Sequence, residues 1–412
     1  MIDNFKLEQL VEPLQDWFRN NARILPWREN PKAYYVWISE IMLQQTRVEA
    51  VKPYFERFIR ELPDVKALAE CPEDKLLKLW EGLGYYNRVR NLKIAANQVM
   101  EEYNGEIPSE YEELLRLKGI GSYTAGAISS IAFGKPVPAV DGNVLRVISR
   151  VTADDSDIMK QSVRTHMEKK LYELMNRSER EVSQTKILKF GLSDLEQKEI
   201  VFGQKNSQEY ENRVIPFIFN QALMELGATV CVPNGVPHCE VCPWKEFCEA
   251  RKQNRISELP VKTKAKARRI EEKTIFIIKD GEKIALHKRA DEGLLAGLYE
   301  LPNTNGHLTE GEVLEYIRKK GYEPVRIQQT CEAKHIFSHV EWHMKGYAVF
   351  LQAKEYMDRT DGFILEEDYD SYQDEWIFID VEDTKEKYAI PSAFSKYTKY
   401  LNLVLGKEAV KK

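Results

Sequence analysis

Long apolar runs are missing from this chain. No stretch approaches the ~20 uninterrupted apolar residues that a membrane span requires, and the opening MIDNFKLEQLVEP has neither the basic flank nor the apolar core of a secretory signal. A surplus of positive charge is missing too. The formal net charge is −5 at pH 7, which argues against a generic polyanion binder, although net charge averages over faces and leaves a local nucleic-acid site open. Cysteine is scarce, six in 412 residues, and neither an internal repeat nor a low-complexity tract is present. What remains is an intracellular, cytoplasmic protein with no membrane association. Its composition is ordinary for a globular chain, 43% hydrophobic and 30% charged, and its length allows two or three domains.

From the start to about residue 230 the apolar positions recur at helical spacing, as in LVEPLQDWF and LLKLWEGLGYYNRVRNLKIAANQVM, which predicts an all-α domain. After residue 270 the pattern changes. TIFIIKDGEKIALHKR has two β-rich runs around Asp280-Gly281, a hairpin signal; EWHMKGYAVFL and EWIFIDVED read as further strands, and EGEVLEYIRKKGY as a helix. The organisation expected is an all-α domain over 1–255, a linker over 256–270 and an α+β domain over 271–405. KTKAKARR, residues 262–269, carries five cations and no acid, and reads either as a solvated linker or as a phosphate-facing segment.

Within the first domain, SEYEELLRLKGIGSYTAGAISSIAF parses with little freedom. Ser109 and Glu112 make a capping-box pattern, Lys118-Gly119-Ile120-Gly121 is a turn that needs glycine, and Ser122 opens a second helix. In this helix-hairpin-helix the turn amides and the helix N-terminus suit a DNA phosphate without reading sequence; alone, it is equally a plain helical corner. Asp141 follows in a Val-Asp-Gly-Asn turn ahead of another helix, where it reads as an N-cap, a reactive carboxylate or both. Glu40, in YYVWISEIMLQQT, is either turned to solvent or held in a partly dry pocket that raises its pKa. Four of the six cysteines, Cys231, Cys239, Cys242 and Cys248, are separated by seven, two and five residues. Such a cluster in an intracellular chain points to metal rather than disulfides, and the spacing fits tetrahedral zinc or a four-iron cluster alike. Cys71 and Cys331 stand apart and read as buried thiols.

A helix-hairpin-helix followed by such an aspartate resembles the endonuclease III superfamily of DNA glycosylases. Within it, LPWR, SEIMLQQT, EGLGYYNRVRNL, LKGIGSYTAGAI and the cysteine cluster look like the adenine glycosylase (MutY-like) branch, and they cover nearly all of the first 250 residues in the expected order. ALHKRADEGLLAGLYELPNT, AKHIFSHVEWHM and YAIPSAFSKY resemble the Nudix-like C-terminal domain of the same branch. A working Nudix hydrolase needs a run of metal-binding glutamates on a helix, which EGEVLEYIRKKGY does not supply.

The resemblance implies a monofunctional enzyme that excises adenine opposite 8-oxoguanine, acting as a monomer on duplex DNA. Glu40 matches the position that protonates adenine N7, and Asp141 the carboxylate that stabilises the oxocarbenium-like sugar. Asn143 is expected to orient Asp141 or water. Tyr123 stands where strand-cutting relatives place a lysine, and a phenol forms no Schiff base. Trp27, Arg28 and Gln221 are implied around the flipped adenine. Gln45, Thr46 and Tyr85 are implied near 8-oxoguanine, with Tyr85 rather than Tyr86 as the wedge; Lys118, Gly119 and Gly121 at a phosphate; and Phe337, Ser338 and His339 in a loop that senses the damaged guanine. The cysteines are implied to hold a [4Fe–4S] cluster rather than zinc, although the first gap is one residue longer than the family's usual spacing. The polar stretch of residues 176–212 is also longer than the family pattern requires and reads as a surface insertion. Two other classes stay open: an endonuclease III-like lyase, disfavoured by Tyr123 and the extra domain, and a non-catalytic DNA-binding protein, which has no need of both Glu40 and Asp141.

Overall fold

A computed structural model describes residues 2–182, 214–263, 267–352 and 376–401. Most of the polar stretch 176–212, and residues 264–266 of the basic segment, lie outside the described residues. The chain divides into two compact units: Met1–Glu70 with Asn91–Lys264, and Cys71–Arg90 with Ala265–Lys412.

The first unit is helical, and five of its helices position the chemistry: α1 (Val11–Asn21), α2 (Ala33–Leu43), α3 (Ser122–Ala127), α4 (Gly142–Val151) and α5 (Pro216–Thr229). A helix apolar on all sides belongs in a core, and α2 and α5 are of that kind: Tyr34, Val36–Met42 of α2 and Phe217–Leu223 of α5 are buried. Leu14 and Phe18 of α1, Val144 and Ile148 of α4, and Phe219 and Leu226 of α5 share one core with Trp244. The helix-hairpin-helix forms, with a first helix of only Tyr111–Leu114. Gly119 takes a φ of 79° in its turn, a region that favours glycine, and α3 continues into a π-helical turn, Ile128–Ala132. The expected capping box is absent. Glu110, not Ser109, is the N-cap and pairs with Lys135, while the Ser109 carbonyl accepts from Ser129, so tertiary partners outweigh the local pattern.

The chain stays with the helical unit beyond residue 255: Leu259 is buried, its carbonyl accepts from Arg150 Nε at 2.9 Å, and the Val261 carbonyl accepts from the Ile158 amide at 3.1 Å. The described cations of KTKAKARR are exposed.

The second unit is built on a mixed seven-stranded sheet, β1 (Arg269–Asp280), β2 (Lys283–Lys288), β3 (Tyr299–Glu300), β4 (Asn303–Asn305), β5 (Pro324–Ile336), β6 (Val340–Leu351) and β7 (Trp376–Asp380), with main order β3-β2-β1-β6-β5. β1 and β6 run parallel and β5 and β6 antiparallel; β4 pairs with β1, and β7 with β2. The hairpin lies one residue later than expected: Asp280 pairs with Lys283, and Gly281-Glu282 is the loop. Helix α6 (Glu310–Lys319) starts at Thr309 with a complete capping box through Glu312, and Val313 and Ile317 pack on Phe276, Tyr347 and Val349. Cys71 is buried, but Cys331 is only half-buried, a correction to the expectation, because it lies on the edge strand β5.

Candidate active site

Three helices of the first unit bring its functional side chains together. Glu40 on α2 is 6% exposed, and the Tyr123 hydroxyl, one residue into α3, donates to its Oε2 in a short hydrogen bond. The same hydroxyl lies 3.1 Å from Met224 Sδ on α5. Burial, with the negative charge of Asp141 adding to it, raises the Glu40 carboxyl to about 7, against the pull of the Tyr123 hydrogen bond and of Arg28. The two acids therefore feel each other's charge, and both charges act on Tyr123. Burial and these anions push the Tyr123 phenol well above its ordinary range, so it stays protonated.

Asp141 caps α4. Its Oδ1 accepts from the amides of Asn143 and Val144, both at 2.8 Å, and its Oδ2 from Asn143 Nδ2 at 2.6 Å. Burial raises its pKa, while these three bonds and the Arg146 charge pull it back. Asn143 is itself held by Arg146 Nη2 at 2.8 Å, which also donates to the Gly227 carbonyl at 2.7 Å. Two glycines let the backbone close around this turn: a Cβ on Gly126 of α3 would stand 2.2 Å from the Pro138 carbonyl oxygen, and one on Gly227 of α5 would stand 2.6 Å from Asn143 Cβ. Asn220 completes the hold, accepting from the Ala139 amide at 3.1 Å and donating to the Val137 carbonyl at 2.8 Å.

Trp27, Arg28 and Gln221 also belong to this unit. Trp27 is buried edge-on to Phe55, with centroids 5.4 Å apart. Gln221 is buried and donates to the Phe217 carbonyl at 2.9 Å. Arg28 donates from Nη2 to Glu225 Oε2 at 2.8 Å and lies over the Phe18 ring. Glu225 was not singled out from the sequence, yet it grips Arg23 and Arg28 together, and those arginines hold its carboxyl at about 2 despite burial. Its only sequence signal is the one Glu40 shows, an acid within an apolar helix.

Gln45, in a left-handed conformation at φ 59°, is exposed in the turn after α2, and Thr46 beside it is half-buried. Lys118, Gly119 and Gly121 are exposed, with the Lys118 amide donating to Gln98 Oε1 at 2.7 Å.

In the second unit, Tyr85 is 48% exposed while Tyr86 is buried. Tyr85, at φ 49°, lines a cavity of about 620 Å³ together with Arg88, Leu295, Phe337, Ser338 and His339. Phe337 is anchored edge-on to Trp342, while Ser338 and His339 are exposed.

The four clustered cysteines are free and half-buried. Cys231 acts electrostatically on Cys239, Cys242 and Cys248, and burial raises all three, Cys242 to about 12. Arg150 Nη1 donates to Cys231 Sγ at 3.3 Å. Among the described residues no three His, Cys, Asp or Glu converge closely enough to share a single metal ion. A donor set of four thiols in one loop suits a thiolate-held metal centre, zinc or a four-iron cluster alike.

A helical unit with a hairpin, a capped aspartate and a buried glutamic acid is of the helix-hairpin-helix base-excision repair class. The family model described as HhH-GPD superfamily base excision DNA repair protein matches residues 38–173, and that of the NUDIX domain matches residues 274–400. The chain is 32% identical over 396 residues to the adenine DNA glycosylase of Mus musculus, spanning 82% of this chain and 70% of that one. To the adenine DNA glycosylase of Homo sapiens it is 30% identical over 401 residues, spanning 83% and 67%. A solved thermostable thymine-DNA glycosylase is similar at 26% identity, over 60% of this chain and 96% of that one, with a TM-score of 0.42. The chain belongs to the adenine DNA glycosylase family, whose members are hydrolases of N-glycosyl bonds. Among the described residues no helix is long and apolar enough to cross a membrane.

Proposed function

We propose that the protein removes adenine mispaired with 8-oxoguanine from duplex DNA and leaves an abasic site with the strand intact. The observation that carries this reading is the Glu40–Tyr123–Asp141 arrangement: a buried acid poised near neutrality beside a capped carboxylate. Adenine must leave the stack to reach such a site, at a cost of a few kcal/mol. Tyr123 occupies Oε2 of Glu40, so the transferable proton belongs on Oε1. That proton goes to adenine N7, the glycosidic bond breaks, and the electron pair leaves with the base. Asp141 stabilises the positive charge that develops on the sugar. Glu40, now a carboxylate, takes a proton from the attacking water. Trp27, Arg28 and Gln221 bound the adenine. Asn143 orients Asp141, and the hairpin turn of Lys118, Gly119 and Gly121 holds a phosphate. Gln45, Thr46, Tyr85 and the Phe337–His339 loop act on the guanine side. We assign Cys231, Cys239, Cys242 and Cys248 to a [4Fe–4S] cluster; when bound it supplies a structural cross-link, and no step above uses it.

Duplexes holding adenine opposite 8-oxoguanine, incubated with the protein, should be cut only after alkali treatment. Spontaneous cutting would instead indicate a lyase, and no cutting a binding protein. Glu40→Gln should abolish excision, by roughly 100-fold or more for loss of a general acid, while duplex affinity holds. Equal loss of both would make Glu40 structural.

A further inference from the structure

One ion pair of the second unit, a buried Glu81 with a half-buried Lys78, has no part in the chemistry above. Lys78 Nζ donates to Glu81 Oε2 at 2.6 Å, to the Thr384 carbonyl at 2.7 Å and to the Tyr388 carbonyl at 3.2 Å. Glu81, 4% exposed, turns its other oxygen to the Ile390 amide at 2.8 Å. Both charges are thus spent on backbone of the segment around residues 384–390, which a desolvated pair needs if it is not to cost more than it returns.

What this pair joins matters. On one side, the residues directly after Glu81 are Gly82–Arg88, one wall of the 620 Å³ cavity and the turn that presents Tyr85. That turn is closed by Trp80 Nε1 and Arg88 Nη2, each donating to the Gly84 carbonyl at 3.1 Å. On the other side, the residues directly after Ile390 are Pro391–Ala393, another wall of the same cavity. Phe394 follows, lies 6.2 Å from Trp342 between ring centroids, and Trp342 in turn anchors Phe337 at 4.9 Å. The segment is also held at its far face, where the Tyr299 amide donates to the Ala389 carbonyl at 3.1 Å. A second tie, Arg90 Nη2 to the Ala296 carbonyl at 2.6 Å, fixes the Gly293–Ala296 wall to the segment just after the Tyr85 turn.

We infer that the Lys78–Glu81 pair is a positioning device for guanine-side recognition: it sets the register of the Tyr85 turn against the Phe337–His339 loop, and so tunes the preference for 8-oxoguanine over guanine. This rests on the guanine-side reading proposed above. Glu81 and Lys78 act through the backbone they hold and touch no base.

The test compares single-turnover excision from adenine:8-oxoguanine and adenine:guanine duplexes by the full-length protein, its Glu81→Ala, Glu81→Gln and Ser338→Ala variants and the Glu81→Ala, Ser338→Ala double variant. Glu81→Ala should lower the rate ratio on the order of tenfold, since misplacement by about an ångström can cost up to ~100-fold. Glu81→Gln, which keeps an acceptor for the Ile390 amide, should fall between Glu81→Ala and the unaltered protein. The Glu81→Ala and Ser338→Ala effects should be less than additive, as coupled groups are, and hydrogen exchange at the Ile390 amide should quicken in Glu81→Ala. Should Glu81→Ala fold too poorly to assay, Lys78→Met removes instead the pair's ties to Thr384 and Tyr388 on the same segment and should lower the ratio likewise. A protein with no preference between the two duplexes would overturn the guanine-side reading and this inference together. A clear preference that survives in Glu81→Ala and Lys78→Met, or effects that add fully with Ser338→Ala, would overturn this inference alone.

Discussion

Glu40 and Glu225 begin from the same position, an acid buried in an apolar helix, and end shifted in opposite directions. Two arginines contributed from near the N-terminus hold Glu225 at about 2 despite burial, whereas burial, with the charge of Asp141 adding to it, raises Glu40 to about 7. Sequence periodicity marks both acids and separates neither, because the deciding cations lie about two hundred positions away in the chain. Glu40 was legible through its motif, and Glu225 was not. The contrast fixes a pH dependence. A general acid works while protonated, so excision should fall about tenfold per unit above about pH 7. The Tyr123 hydrogen bond lowers the Glu40 pKa, so its removal must raise it. Single-turnover rates of Tyr123→Phe should therefore show the falling limb moved to higher pH; a limb that stays or moves lower would remove Glu40 as the titrating acid.

At the scale of elements, the long helices and most strands were legible because burial of one face or of the whole segment writes a period into the sequence. The cap of the first hairpin helix was not, although Ser109 and Glu112 have the right spacing, because Lys135 and Ser129 draw Glu110 and Ser109 into other bonds. The turn that carries Asp141 shows how closely elements must approach. Gly227 lies on α5 where any side chain would meet Asn143 Cβ at 2.6 Å, and Asn143 donates to Asp141 from both backbone and side chain. Gly227→Ala should thus cost about 1–3 kcal/mol in stability, as overpacking does. Excision should fall further than stability alone explains, up to ~100-fold for misplacement near an ångström, in single-turnover assays at a temperature where the variant is fully folded. Undiminished excision in folded Gly227→Ala would show that α5 does not set the position of Asp141.

For the whole molecule, one division was invisible in the sequence. LLKLWEGLGYYNRVR has the same helical period as its flanks, yet Cys71–Arg90 belongs to the second compact unit, because Lys78, Glu81 and Arg90 reach partners more than two hundred positions later. The Nudix-like sheet was readable from its strands and hairpin; its ties to that earlier segment were not, since hydrogen bonds to distant backbone leave no local pattern. Each unit has its own core, one centred on α1, α4 and α5 and the other on β1 and β6. The cysteine loop belongs wholly to the first: Arg146 Nε donates to the Cys231 carbonyl at 2.8 Å, and Arg150 Nη1 to Cys231 Sγ, both from α4. If the four thiolates hold the proposed cluster, its binding free energy is folding free energy for that unit alone. Scanning calorimetry of the intact protein should show the helical unit's transition fall by at least ~4 °C in Cys242→Ser, at roughly 2–4 °C per kcal/mol for a unit of this size, with iron content lost and the second unit's transition in place. A Cys242→Ser protein that keeps both transitions and carries as much iron as the unaltered chain would remove Cys242 from the ligand set.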